Sequence, residues 1–349
     1  MAVDDPIARN PAEKVGINNK IAVLIPCHNE RLTIAKVVRD FQRTLPGCNV
    51  YVYDNNSNDN TGAEAYAAGA IVRTEPLQGK GHVVRRMFAD VEADIYVLVD
   101  GDDTYDATAA ADMVQMLIAD NLDMVTGTRE PDSGDAYRPG HQFGNTVLTG
   151  AVRRIFGARI KDMLSGYRVF SRRFVKSFPA LAAGFETETE FTVHALELQM
   201  PVGDLQIRYG SRPAGSESKL NTIRDGIRIS RTILMLVKDE RPLQFFSTIA
   251  GLLFVCAMVL GVPVVSEFVH TGLVPRFPTA VLSASLVLLS FLTLASGMIL
   301  DTVSHGRREL KRLFYLSLPS PITLLNERQY QMGSLIAGTS TERQQTRTA

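Results

Sequence analysis

The chain contains no tryptophan, only three cysteines in 349 residues, and no excess of either charge, with 37 Lys+Arg against 37 Asp+Glu. Each shortage excludes something. Zero formal net charge removes the long-range field that draws proteins onto nucleic acid, so no nucleic-acid partner is expected. Cys27, Cys48 and Cys256 stand at no metal-like spacing, and Cys256 lies in an apolar run. They read as reduced thiols facing a reducing compartment. The N-terminal stretch MAVDDPIARNPAEKVGINNK has no apolar core and does not read as a secretory signal. Without tryptophan, no motif built on an indole is possible.

Hydrophobic residues are present but unevenly spread. Residues 243–265 and 277–300 form uncharged runs of 23 and 24 residues, each longer than the ~20 needed to cross a bilayer core. Lys238 and Arg241 precede the first run, and Arg307, Arg308, Lys311 and Arg312 follow the second. That asymmetry predicts a transmembrane hairpin with both flanks and both termini in the cytoplasm. A pair of buried helices in a large soluble core is the alternative. Residues 221–241 read as an amphipathic helix, with Arg224, Arg228 and Arg231 on one face and Ile223, Ile227, Ile233, Leu234 and Val237 on the other. Such a helix suits the lipid headgroup layer, or packs as an ordinary surface helix. The predicted organisation is therefore an N-terminal extension (1–19), a catalytic domain (20–220), an interfacial helix (221–241), two membrane helices (242–301) and a cytoplasmic tail (302–349).

Within 20–220 strand and helix signals alternate. KIAVLIP, NVYVYD, AIVRTE, ADIYVLVD and DMVTGTR read as strands, separated by helical periodicities such as LTIAKVVRDFQRTL and GKGHVVRRMFADV. The succession predicts an α/β fold with a mostly parallel sheet and helices on both faces. Ligands bind such sheets outside the carboxyl ends of the strands, where PCHNE, DNNSNDNT, GDDTYD and GTREP fall.

The stretch YVLVDGDDTYD crowds Asp100, Asp102, Asp103 and Asp106 behind a strand. Mutual repulsion of that kind is relieved by a helix N-terminus or by a divalent cation. A cap for the helix that follows, on Asp103 or Asp106, is one reading; it suits Asp106 and does not account for the other three acids. In PCHNE, Pro26 is expected to end the first strand, leaving Asn29 and Glu30 to reach a ligand, with helix capping the alternative for Asn29. In QGKG, Lys80 stands between two glycines and is suited to a phosphate.

In this order and spacing, IPCHNE, VYDNNSNDNT, QGKG, VDGDD and GTR, continued by DMLSGYRVF, GFETETEF and RPAGSESKL, resemble the family 2 glycosyltransferases of the Rossmann-like GT-A fold. With the hairpin, the chain is similar to the polyprenyl-phosphate glycosyltransferases, the dolichyl-phosphate mannose synthases and their bacterial relatives among them. The resemblance implies inverting transfer of one sugar from a UDP- or GDP-linked donor to an undecaprenyl-phosphate-like acceptor at the cytoplasmic face of the inner membrane. It implies Mg²⁺ or Mn²⁺ on Asp102 with Asp100, a nucleotide-sugar site at Pro26, Asn29, Glu30, Asp54, Lys80 and Asp100, and a homotetramer among membrane lipids. Asp162 matches the family's active-site carboxylate and is counted with Asp102 as catalytic. Arg129, Ser165, Arg212 and Lys219 match the segments expected to meet the acceptor phosphate. One of Glu186, Glu188 and Glu190 is expected to touch the sugar or an arginine. One departure stands out: the usual second acid after strand two is Asn55 here. A processive polysaccharide synthase is the first alternative, but two spans and no Gln-x-x-Arg-Trp motif argue against it. A non-catalytic nucleotide-sugar-binding scaffold is the second.

Overall fold

Side chains of β1 (Ile21–Cys27) divide by parity. Ile21, Val23 and Ile25 join one hydrophobic cluster, while Ala22 and Leu24 join another. A strand apolar on both faces needs cover on both, which the alternating helices supply. A computed structural model describes residues 20–131, 162–213 and 241–324, with 231, 234–235, 237–239 and 327. Two thirds of the predicted interfacial helix lies outside these residues, as do the N-terminal extension, Lys219 and the tail beyond 327.

The sheet has seven strands in the order β3-β2-β1-β4-β6-β5-β7. The strands β2 (Asn49–Asp54), β3 (Ile71–Thr74) and β4 (Ile95–Leu98) run parallel to β1. Next, β6 (Arg168–Ser171) lies antiparallel between β4 and β5 (Met124–Pro131), and β7 (Val202–Tyr209) is parallel to β5. On one face α1 (Ile34–Thr44) turns Ile34, Val37, Val38 and Phe41 inward, the i, i+3, i+4, i+7 stripe of a half-buried helix. It is joined there by α2 (Thr61–Ala67) and α4 (Ala109–Ala119). The other face is covered by α3 (Lys80–Asp90), α5 (Arg172–Ser177) and α6 (Thr187–Glu197). Its core centres on Phe88, Phe170, Phe174, Phe178 and Phe191, with Phe170 stacked on Phe174 at 4.5 Å between ring centres.

Two features of this topology position the site. The chain winds outward from β1 to β3 and then crosses to β4 on the other side of β1, opening a crevice at their carboxyl ends. Because β6 runs backwards, its leading residues 162–167 arrive at that same edge. Pro26 does not end β1 as expected. Pairing with β2 continues through Cys27, whereas pairing with β4 stops at Leu24.

The chain divides into two compact units, 1–229 with 313–349, and 230–312. The second holds α7 (Pro242–Thr271) and the start of α8 (Phe277–Leu316), both long and apolar enough to cross a membrane. Their contact is a seam of small residues at seven-residue spacing. Ala250, Ala257 and Val264 are buried on α7; on α8 Ser283 and Ser290 are buried, and Gly297 continues the spacing against Phe246. Ser283 and Ser290 donate to the Ala257 and Ala250 carbonyls, each at 2.9 Å. Within the first unit, Tyr315 near the end of α8 is buried beside the phenylalanine cluster. Its hydroxyl donates to Asp123 Oδ2 at 2.7 Å, and the Arg173 guanidinium lies 4.8 Å over its ring. Asp123 also accepts from Ser171 Oγ at 2.6 Å and from Arg173.

Candidate active site

Each of the four crowded acids has a partner from the chain. Asp100 accepts from Lys80 Nζ at 2.5 Å, Asp102 pairs with Arg212 Nη2 at 2.6 Å, and Asp103 accepts from Lys36 Nζ at 2.6 Å. Asp106 accepts from the Thr108 amide and hydroxyl at 2.9 and 2.7 Å; it braces the turn before α4 but is not the cap, a position that Thr108 holds. A divalent cation is thus not needed to hold the cluster together. Asp102 is nonetheless under electrostatic load: burial and the neighbouring Asp100 charge raise its pKa, against Arg212 and a hydrogen bond from Thr104.

Lys80, first residue of α3, is buried and shared between Asp100 and Glu188 Oε1, the latter at 2.6 Å. Burial alone would lower its pKa; the two carboxylates outweigh it, and the net shift is upward. Burial raises the Glu188 pKa, with Lys80 opposing. Lys80 therefore acts on Asp100 as an anchor. The flanking glycines serve packing: a Cβ on Gly81 would lie 2.2 Å from the Ala182 carbonyl oxygen, and the Gly81 amide donates to Ala183 O at 3.0 Å. Gly166 meets the same group from the other side, since a Cβ there would stand 2.2 Å from Asp100 Oδ2.

Asn55 explains its own departure from the family pattern. Its amide donates to the Glu75 and Leu77 carbonyls, each at 2.8 Å, and its Oδ1 accepts from the Gly79 amide at 2.7 Å. An ionised aspartate has no donor for two of those three bonds. The side chain fastens the loop that delivers Lys80. Asp54 Oδ1 accepts from the Ser57 amide at 3.0 Å. Asn29 is not a helix cap, because α1 begins at Ile34 after Thr33. With φ at +54° it receives the Asn58 amide on Oδ1 at 2.9 Å and so binds the β1 loop to the β2 loop. Glu30 is buried beside it, its amide donating to Thr61 Oγ1 at 2.8 Å.

On the other side of the crevice Arg129 grips Asp162 with a fork, Nε to Oδ2 at 2.7 Å and Nη2 to Oδ1 at 2.9 Å. The Arg129 guanidinium also lies 5.6 Å over the Tyr209 ring. Tyr105 ties these parts together: the Gly166 amide donates to its hydroxyl at 2.9 Å, and its ring packs on Tyr167 and Tyr209. Ser165 is expected at the acceptor phosphate. It is fully buried and its hydroxyl donates to Gly127 O at 2.6 Å, bracing the turn before β6. Of the glutamate row, Glu188 reaches a lysine rather than an arginine, and Glu190 accepts the Leu181 and Ala182 amides, each at 3.0 Å. Tyr105, Thr104 and Tyr209 carry no sequence signal of their own.

Carboxylates, a buried lysine and an arginine fork thus gather at the carboxyl edge of a mixed sheet. The family model for glycosyl transferase family 2 matches residues 22–178. Glycosyltransferase AglJ of Haloferax volcanii is 32% identical over 300 residues, spanning 84% of this chain and 97% of that protein. Protein RfbJ of Shigella flexneri is 56% identical over 124 residues, 35% of this chain and 95% of that one. Glucosyl-3-phosphoglycerate synthase of Mycobacterium tuberculosis, solved with Mn²⁺, UDP-glucose and phosphoglyceric acid, shares the fold. Its TM-score is 0.52 at 20% identity, over 65% of this chain and 81% of that structure. The chain belongs to glycosyl transferase family 2 and is a glycosyltransferase of the GT-A fold.

Proposed function

We propose that the protein transfers a single sugar, with inversion, from a nucleotide sugar to a polyprenyl phosphate at the cytoplasmic face of a membrane. The observation that carries the reading is the Arg129–Asp162 fork. Both oxygens of the carboxylate are committed to a guanidinium, which suits positioning and disfavours proton abstraction. A phosphate monoester has its second pKa near ~6 and arrives already ionised, so it needs no base. An oxygen of that phosphate attacks the anomeric carbon as the bond to the donor's diphosphate oxygen breaks, and the nucleoside diphosphate leaves. Arg129 and Arg212 are the cations proposed to hold the acceptor against the donor's charge, with Lys219 retained from the resemblance.

Asp102, assisted by Asp100, is the proposed holder of Mg²⁺ or Mn²⁺. Among the described residues no group of three His, Cys, Asp or Glu side chains forms a complete cage. Two hard carboxylates fit a cation that keeps water and diphosphate oxygens for its remaining positions, and when bound it neutralises charge on the leaving diphosphate. The M. tuberculosis synthase crystallised with Mn²⁺ and UDP-glucose accords with this. Asp54, Asn29 and Glu30 are the proposed nucleoside contacts.

The hairpin supports a lipid acceptor. Outside their small-residue seam, α7 and α8 expose Leu252, Val259, Val262, Leu288 and Ile299 by more than 60% each, a surface that only lipid or another protein covers. Seams of small residues with hydroxyl-to-carbonyl bonds are the usual helix contact in bilayers. The tetramer is part of the proposal and is checked by mass photometry in mild detergent.

The test is radiolabelled transfer by purified full-length protein to polyprenyl phosphate from a panel of UDP- and GDP-sugars, with and without EDTA. One-sugar lipid products that EDTA abolishes are expected. Transfer to phosphoglyceric acid but not to lipid, or products bearing sugar chains, would overturn the reading.

A further inference from the structure

The two oxygens of Asp102 are filled from different sides. Oδ1 accepts from the Thr104 hydroxyl at 2.6 Å and the Thr104 amide at 3.3 Å, both fixed parts of the same turn. Oδ2 pairs with Arg212 Nη2 at 2.6 Å, and the Asp102 side chain is only 5% exposed. The second oxygen is therefore the one available for exchange, and its present occupant is itself a cation. Arg212 is 25% exposed and stands three residues beyond the end of β7. The backbone below it is tied down. The Gly210 amide donates to Thr104 O at 2.9 Å, and Tyr209 packs on Tyr105 with ring centres 5.2 Å apart. These contacts anchor the backbone at the root of Arg212 independently of its pairing with Asp102.

We propose that Arg212 is the resident counter-ion of Asp102, that the divalent cation displaces it, and that the released guanidinium then serves the acceptor phosphate. This rests on Asp102 being the metal carboxylate. A divalent ion on Oδ2 and a guanidinium 2.6 Å from the same atom exclude each other by charge and by volume. The guanidinium's flat fork of donors matches a phosphate as well as a carboxylate, so the same side chain fits both places. Without metal, Asp102 keeps Arg212 from the acceptor; with metal and donor seated, the acceptor site gains a cation. The exchange makes donor-side loading a condition for tight acceptor binding, and the coupling is reciprocal. It also protects the carboxylate pair, since Asp102 without any cation would face Asp100 in a buried site.

The experiment titrates Mn²⁺ alone into the detergent-purified full chain, reading free Mn²⁺ by EPR, for the wild type, Arg212→Ala, Arg212→Lys and Asp102→Asn. Removing the competitor should tighten Mn²⁺ binding about 5- to 150-fold, the range of ordinary site-to-site coupling, with Arg212→Lys falling between. Mn²⁺ binding to Arg212→Ala that is no tighter than to wild type, at whatever affinity the wild type shows, overturns the exchange. Asp102→Asn distinguishes the underlying reading: unchanged Mn²⁺ affinity in that variant sinks the metal assignment itself. A second arm measures farnesyl phosphate binding with and without Mn²⁺. Mn²⁺ should tighten it in the wild type and do so far less in Arg212→Ala. An equal Mn²⁺ effect in both proteins shows that no guanidinium is being released.

Discussion

Both oxygens of Asp162 are held by Arg129, and Oδ1 also accepts the Leu164 amide at 3.2 Å. Asp162→Asn keeps the shape and removes the charge from that pair. Charge-assisted hydrogen bonds are worth about 1.5–3 kcal/mol, so kcat should fall roughly ten- to a hundred-fold at 1.36 kcal/mol per decade. The acidic limb of the pH–rate profile should survive, because the acceptor phosphate sets it. Loss of that limb together with a drop beyond a thousand-fold would identify Asp162 as a base. Asn55 invites the complementary substitution. Asn55→Asp restores the acid usual in the family but faces two carbonyls with a carboxylate. Leaving buried groups unpaired costs about 1–3 kcal/mol each, so the urea midpoint should fall and nucleotide affinity with it as the Lys80 loop loosens. A variant as stable as the wild type would show that another donor takes over.

At the scale of elements, α3 is the sensitive piece, because its first turn carries Lys80 and presses on the 182–183 backbone. Gly81→Ala places a methyl where the Ala182 carbonyl stands, so the helix end must lift and take Lys80 away from Asp100. Calorimetry should show weaker nucleotide binding and a melting curve shifted down; unchanged binding would mean that the 182–183 segment yields instead. The elements themselves were largely legible: β1 to β5 and the helices between them follow from apolar runs and periodicity, and the crowded acids marked the site edge. Partnerships were less legible, because Lys80 and Glu188 are 108 residues apart and no local pattern relates them. Ser165 shows the converse. A hydroxyl beside a matched aspartate looks available in sequence, yet the turn before β6 uses it internally. Pro26 failed for a similar reason, since a missing amide matters only against the neighbour it would have bonded.

For the whole molecule, the buried carboxylate of Asp123 depends on a side chain from the far end of the chain. Tyr315→Phe keeps the ring under Arg173 and removes only the hydroxyl. Loss of a hydrogen bond to a charged group predicts about 1.5–3 kcal/mol of destabilisation, read as a lower denaturation midpoint of the full chain in detergent. No change would show that Ser171 and Arg173 satisfy Asp123 unaided. Ending the chain at Arg312 should cost more, since it also strips the ring from the phenylalanine cluster. A fragment cut at Lys238 is therefore expected to be a weakened domain, for reasons separate from any loss of membrane contact.

The position of Tyr315 also sets a clock. The first unit is interrupted at residue 229 and resumes at 313, so Tyr315, its last core side chain among the described residues, leaves the ribosome only with the end of the second long helix. At about 5–20 residues per second, the 86 residues from 229 to 315 take roughly 4–17 s to synthesise. Throughout that interval Asp123 and one edge of the phenylalanine cluster stand open, and closure coincides with delivery of the second helix. Maturation of the sugar-transferring unit is thereby timed to completion of the hairpin, so a chain stalled between the two helices holds an unfinished domain.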